Sequence, residues 1–190
     1  MSSYKDRFFS ALKYTETLGL CPTETPIPWQ EKMSVEEARE VLLCSRDVLA
    51  ASGMKQSSDL AKKCVAVHLA LQSAIYNFFK MKTYITIGDI FWTDYVYCKM
   101  SHEAIEKELN NPVFGKPLDA HIWLTLPDGS ILDCTGEAHL DLIMGRGEHP
   151  LEECLTFIPP DKHIEDGYRR PFLVGPEFLI KAGVFTNPNE

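Results

Sequence analysis

The chain has 190 residues, 45% of them hydrophobic and 24% charged, which is ordinary globular composition and excludes a collagen-like or extensively disordered polypeptide. Its 19 basic and 27 acidic residues leave a net charge of −8, and no run of Lys or Arg interrupts that balance to cradle a phosphate backbone, so nucleic acid is not an expected partner. The length suits one domain over residues 1–190, with a helical N-terminal part over 1–57 and a catalytic-like core over 58–190.

The opening stretch "MSSYKDRFFSALKY" lacks the apolar core, about seven residues or longer, of a secretory signal. No stretch reaches the roughly 18 apolar residues of a membrane span. A cytoplasmic protein that does not enter membranes is expected. The six cysteines form no CxxC pair and no regular spacing, which argues against a disulfide framework and a zinc ribbon. The pattern calls for no cofactor and no resident metal, and it leaves the oligomeric state open.

In chain order, Phe8 and Leu12 fall at helical spacing within 3–20, and Ser34 with Glu37 three residues on forms a capping-box signature for a helix over 34–53. Between them "CPTETPIPWQ" carries three prolines in seven residues and reads as a connecting loop. From Ser58 to Lys80 the apolar positions Leu60, Cys64, Val67, Leu71, Ile75 and Phe78 keep the helical period, which predicts one uninterrupted helix with this stripe buried. "TYITIGDIFW" and "DYVYC" then read as strands and "SHEAIEKELNN" as a short polar helix. Further on, a helix over 137–145 stopped by Gly145, strands over 153–159 and 169–174, and a helix opened by Pro176 are expected. Helices first and strands later favour an α+β fold, N-terminal helices packed on an antiparallel β-sheet.

The stretch "DAHIWLTLPDGSILDCT", residues 119–135, reads as a hairpin. Pro127-Asp128-Gly129 prefers a type I turn followed by a left-handed glycine, a three-residue loop. That register pairs Leu126 with Ser130 and Trp123 with Asp133, so His121, Trp123, Asp133 and Thr135 share one face. The other face, Ile122, Leu124, Leu126, Leu132 and Cys134, is apolar core. His121 and Asp133 become diagonal neighbours at roughly 7–8 Å between backbones. A carboxylate that holds one imidazole nitrogen leaves the other to take a proton from a nucleophile; equally, such a pair is a cross-strand contact that satisfies itself.

Cys64, after Lys62 and Lys63, is the candidate nucleophile, because cations and a helix N-terminus favour a thiolate. In a helix that starts at Ser58 it sits a turn and a half inside, where the dipole has faded, and a cysteine on an apolar stripe is also a small core residue.

The order "CVAVHLAL", "YITIGDI", "AHIWLTLPDGSILD" resembles bacterial transglutaminase-like members of the papain-like superfamily, including the domain of lasso-peptide maturation proteases. The match covers about Ser58 to Thr135. It departs at Lys63, His68 and Thr125. The resemblance implies a papain-like α+β fold and a triad of Cys64 as nucleophile, His121 as base and Asp133 as orienting acid. The reaction would be acyl transfer on a peptide, amide or other acyl substrate, as a hydrolase or acyltransferase. His68, one turn after Cys64, and Trp123, beside His121, would line the substrate pocket; as plain packing they are a buried polar residue and a core aromatic. Two other readings stand: a binding or accessory domain that keeps the fold without the reaction, and a zinc site from Cys64, His68, His121 and Cys134, which the hairpin register disfavours by turning Cys134 away from His121.

Overall fold

The computed structural model describes residues 3–21, 27–115 and 119–184. Among them are helices α1 (Tyr4–Thr17), α2 (Val35–Ala51), α3 (Ser57–Leu60), α4 (Cys64–Phe79), α5 (His102–Asn110), α6 (Gly136–Met144), α7 (Leu151–Cys154) and α8 (Glu177–Lys181). The strands are β1 (Tyr84–Phe91), β2 (Val96–Tyr97), β3 (His121–Thr125), β4 (Ile131–Asp133), β5 (Thr156–Ile158) and β6 (Tyr168–Val174). The fold is mixed α+β with antiparallel strand pairing. The chain gathers into two compact units, one of Met1–Pro26, Thr86–His121 and His163–Glu190, the other of Ile27–Ile85 and Ile122–Lys162.

In the first unit, Ser3 and Asp6 close a capping box at the start of α1, which lays Phe8, Ala11, Leu12 and Thr15 onto β6. Thr15 Oγ1 donates to the Ala11 carbonyl at 2.8 Å and accepts the Val174 N–H at 2.9 Å, pinning helix to strand. Strand β1 pairs with β2 (Ile90 opposite Tyr97) and with β6 (Asp89 opposite Arg170), with a register shift between Ile87 and Gly88. Asp89 is fully buried, and it tolerates the loss of water because Arg170 reaches it through two nitrogens at 2.7 Å each and the Met100 N–H at 3.1 Å.

In the second unit the Ser34–Glu37 capping box forms as the sequence predicts. Helix α2 buries Val41, Ser45 and Leu49, α4 buries Val67, His68, Leu71 and Ile75, and the two pack together. Strand β4 pairs with β3 and β5, Leu132 standing opposite Leu124 on one side and Phe157 on the other. The hairpin takes the three-residue loop: Gly129 has φ +89, the Leu126 N–H donates to the Ser130 carbonyl at 2.8 Å, and the Gly129 N–H donates to Leu126 at 2.9 Å. Ile122, Leu124, Leu126 and Leu132 are fully buried, as expected, but every other residue of β3 and β4 is buried as well.

Three expectations are corrected. The helix over 58–80 is two helices: Ala61 leaves helical geometry at ψ 137, Lys62 is left-handed at φ +63, and Lys63 is the N-cap of α4. No Gly or Pro marks this break. The break lies at the left-handed Lys62, and α3 before it is anchored from outside the segment: Ser57 donates its N–H to the His149 carbonyl at 2.9 Å and its Oγ to Asp141 Oδ2 at 2.5 Å. Phe78 is 71% exposed, since the stripe runs on into the last turn of α4 beyond the helix's buried residues, which end at Ile75. The strand over 153–159 begins only at Thr156, because Pro150 caps α7, whose first turn holds Glu152 and Glu153. The predicted loop over 21–30 lies in part outside the described residues, and Ile27–Gln30 are irregular.

Candidate functional site

The break before α4 makes Cys64 the first residue of that helix, half-buried and preceded by two lysines. Lys63 supplies no side-chain cap, so the first-turn N–H groups of α4 are not taken by it. A helix start of this kind concentrates partial positive charge beside the thiol. Three other thiols are disfavoured as thiolates. Burial, then the charges of Asp133 and Cys154, push Cys134 well above the ordinary thiol range. Burial also raises Cys154 against the opposing hydrogen bond of Ser57, and burial with Asp47 raises Cys44.

One turn into α4, His68 is fully buried. Its Nδ1 lies 2.8 Å from the Cys64 carbonyl, and its Nε2 accepts the Cys134 N–H at 3.1 Å. A carbonyl only accepts and an amide N–H only donates, so the ring is neutral with its proton on Nδ1. Nε2 also stands 3.9 Å from Asp133 Oδ1. This occupied nitrogen is unsuited to a metal, and among the described residues no group of three or more His, Cys, Asp or Glu side chains is placed to hold one.

Asp133 ends β4, and its Oδ1 accepts the N–H groups of Thr135 at 3.1 Å and Gly136 at 3.0 Å. It thereby caps α6, a task that Thr135, the N-cap residue, does not perform with its own side chain. The β3–β4 register, Leu124 opposite Leu132 and Thr125 opposite Ile131, places Trp123 opposite Asp133. Trp123 and His68 have no exposed surface. His121, also fully buried, is the last residue of the first unit's middle segment and sets its ring 5.3 Å from that of Tyr97.

The structure therefore joins Cys64, His68 and Asp133 within the second unit. Sequence reasoning missed the bridging role of His68 and the capping role of Asp133. The i,i+4 spacing of Cys64 and His68 signals the first half of the bridge, and an Asp three residues before a helix start signals the cap. A separate surface cavity of about 260 Å³, lined by Ser57, Asp141 and Glu148 among others, contains none of the predicted site residues. Compared with known proteins, the chain matches no family model, no curated relative and no solved structure.

Proposed function

We propose that the chain is a cysteine-dependent acyl-transfer enzyme of transglutaminase-like, papain-like architecture, acting on a peptide, amide or other acyl substrate. The observation that carries this reading is Lys62, a non-glycine residue at φ +63. The left-handed region costs an L-residue about 1–2 kcal/mol, and the strain sits where it ends one helix so that Cys64 can open the next. Backbone strain of this kind concentrates at sites where geometry serves chemistry.

In the proposed reaction the Cys64 thiolate attacks the acyl carbon, forming a C–S bond as the carbonyl electron pair moves to oxygen. The Cys64 N–H at the head of α4 stabilises that oxyanion. Collapse expels the amine, which takes a proton from His121, and water or an amine, deprotonated by His121, then resolves the thioester. Asp133 orients His121. Support for that pair comes from the hairpin register, which sets Trp123 opposite Asp133, while alternation along β3 gives His121 the same face as Trp123. The rival reading, an accessory domain without the reaction, draws its support from the commitment of Asp133 Oδ1 to capping α6.

Brief iodoacetamide treatment at about pH 6.5, read by mass spectrometry, separates the two, since the reagent consumes thiolate. Label is expected on Cys64 ahead of the exposed Cys21, His121→Ala should abolish the preference, and Asp133→Asn should weaken it less. A Cys64 that reacts no faster than Cys21, or equally fast without His121, would leave the accessory-domain reading in its place.

A further inference from the structure

We infer that His68 is a positioning residue, a neutral imidazole that locks the Cys64 end of α4 to the end of β4 so that nucleophile and orienting acid hold one spacing. The inference rests on the cysteine reading above. Its basis is that one fully buried ring spans two elements through opposite nitrogens, Nδ1 to the Cys64 carbonyl at 2.8 Å and Nε2 to the Cys134 N–H at 3.1 Å, with the Asp133 carboxylate 3.9 Å away.

Local sequence does not supply this restraint. Lys63 offers α4 no side-chain cap, and the residue before it is strained, so the first turn of the helix needs an anchor from elsewhere. The Cys64 carbonyl already accepts the backbone N–H four residues on, and its second lone pair takes the His68 proton. At the other end, Cys134 follows Asp133 directly, so holding the Cys134 amide holds the peptide unit that carries the acid.

The same geometry fixes what His68 does not do. Its Nε2 lone pair is spent on an amide, so it is not a base for the nearby thiol, and protonation would set two donors, Nε2–H and Cys134 N–H, against each other. The Asp133 carboxylate, from β4, faces it at 3.9 Å.

Two substitutions in the full chain divide the bridge. The amide nitrogen of His68→Asn stands in for Nδ1 and keeps the bond to Cys64; the amide oxygen of His68→Gln stands in for Nε2 and keeps the bond to Cys134. In the wild type, nitrogen NMR of the imidazole should show the proton on Nδ1 with no titration between about pH 6 and 8, a window that spans the ordinary histidine value. The Cys134 amide should exchange slowly in the wild type and in His68→Gln, and rapidly in His68→Asn. Both variants should alkylate Cys64 about tenfold more slowly at about pH 6.5, and at the wild-type rate near pH 9.5, where the reagent no longer selects for the positioned thiol. General destabilisation would instead raise reactivity at every pH.

A proton on Nε2, or variants with the wild-type alkylation profile, would overturn the positioning role while a wild-type Cys64 reactive at about pH 6.5 keeps the acyl-transfer reading. A wild-type Cys64 with the profile of Cys21 would overturn both. If neither variant folds, the wild-type imidazole spectrum and Cys134 exchange decide: a proton on Nδ1 with a slow amide upholds the bridge, and any other result overturns it.

Discussion

The indole of Trp29 lies against Gly129, over the spot a β-carbon there would occupy. Gly129 also has φ +89, and the neighbouring segment is tied to the same turn, the Gln30 N–H to the Pro127 carbonyl at 2.9 Å and the Met33 N–H to Asp128 Oδ2 at 3.0 Å. Gly129→Ala therefore adds backbone strain of about 1–2 kcal/mol to a displaced indole costing about 1–3 kcal/mol. Urea unfolding should show a loss of about 2–5 kcal/mol. A loss below about 1 kcal/mol would mean that the indole swings aside and does not hold the turn.

Leu71 and Phe78 share the helical stripe of α4 but not its burial, at 0% and 71% exposure. Leu71→Ala should cost about 2–5 kcal/mol, the range for emptying a packed aliphatic site. Phe78→Ser should stay within about 0.5 kcal/mol, as surface changes do. Equal losses in urea unfolding would show that Phe78 has a partner in solution.

Asp133 has a structural task beside its proposed catalytic one, and the two can be separated. Asp133→Ala removes the acceptor for the Thr135 and Gly136 N–H groups and should cost about 1–3 kcal/mol, the range for buried amide donors stripped of a charged partner. Asp133→Asn keeps an oxygen for both and should lose less than half as much. Hydrogen exchange at the Gly136 amide should be fast in the Ala variant and slow in the Asn variant; equal exchange in both would remove the capping role.

Local chemistry in this chain was legible and long-range anchoring was not. Ser34 with Glu37, and Pro127-Asp128-Gly129, carry their geometry within a few residues, and both formed as read. The break at Lys62 was invisible because Ala61, Lys62 and Lys63 all suit a helix. The contacts that hold α3 in place come from Ser57, bonded to His149 and Asp141 more than 80 residues along the chain. Periodicity gave the stripe of α4 but not where its cover ends, so Leu71 was read correctly and Phe78 was not. At the candidate site, the residue types were readable one by one, whereas His68 needed the three-dimensional neighbour Cys134 to acquire a role.

His149 gives the anchoring of α3 a pH dependence. Its Nδ1 donates to Glu153 Oε2 at 3.0 Å, its Nε2 stands 3.8 Å from Asp141 Oδ1 and 3.4 Å from the Arg146 carbonyl, and the Arg146 guanidinium reaches the same Asp141 oxygen at 2.8 Å. The hydrogen bond to Glu153, then the negative charge of Asp141, raise the imidazole above its ordinary value. A group whose folded-state value is raised binds its proton more tightly folded than unfolded. Its contribution is therefore complete below the unfolded value of about 6.5 and disappears as pH rises through the folded value. The bonds of the His149 main chain to Ser57, its carbonyl accepting the Ser57 N–H at 2.9 Å and its N–H donating to Ser57 Oγ at 3.1 Å, do not titrate and survive substitution of the His149 side chain. Thermal unfolding of the wild type against His149→Gln should show a higher Tm for the wild type at about pH 6, where the carboxylates are ionised and the imidazole is charged, and no difference at about pH 8.5. An advantage that persists undiminished at the higher pH would assign the side chain to packing instead of charge, and the ion pairs with Glu153 and Asp141 would then carry none of the stability of this corner of the fold.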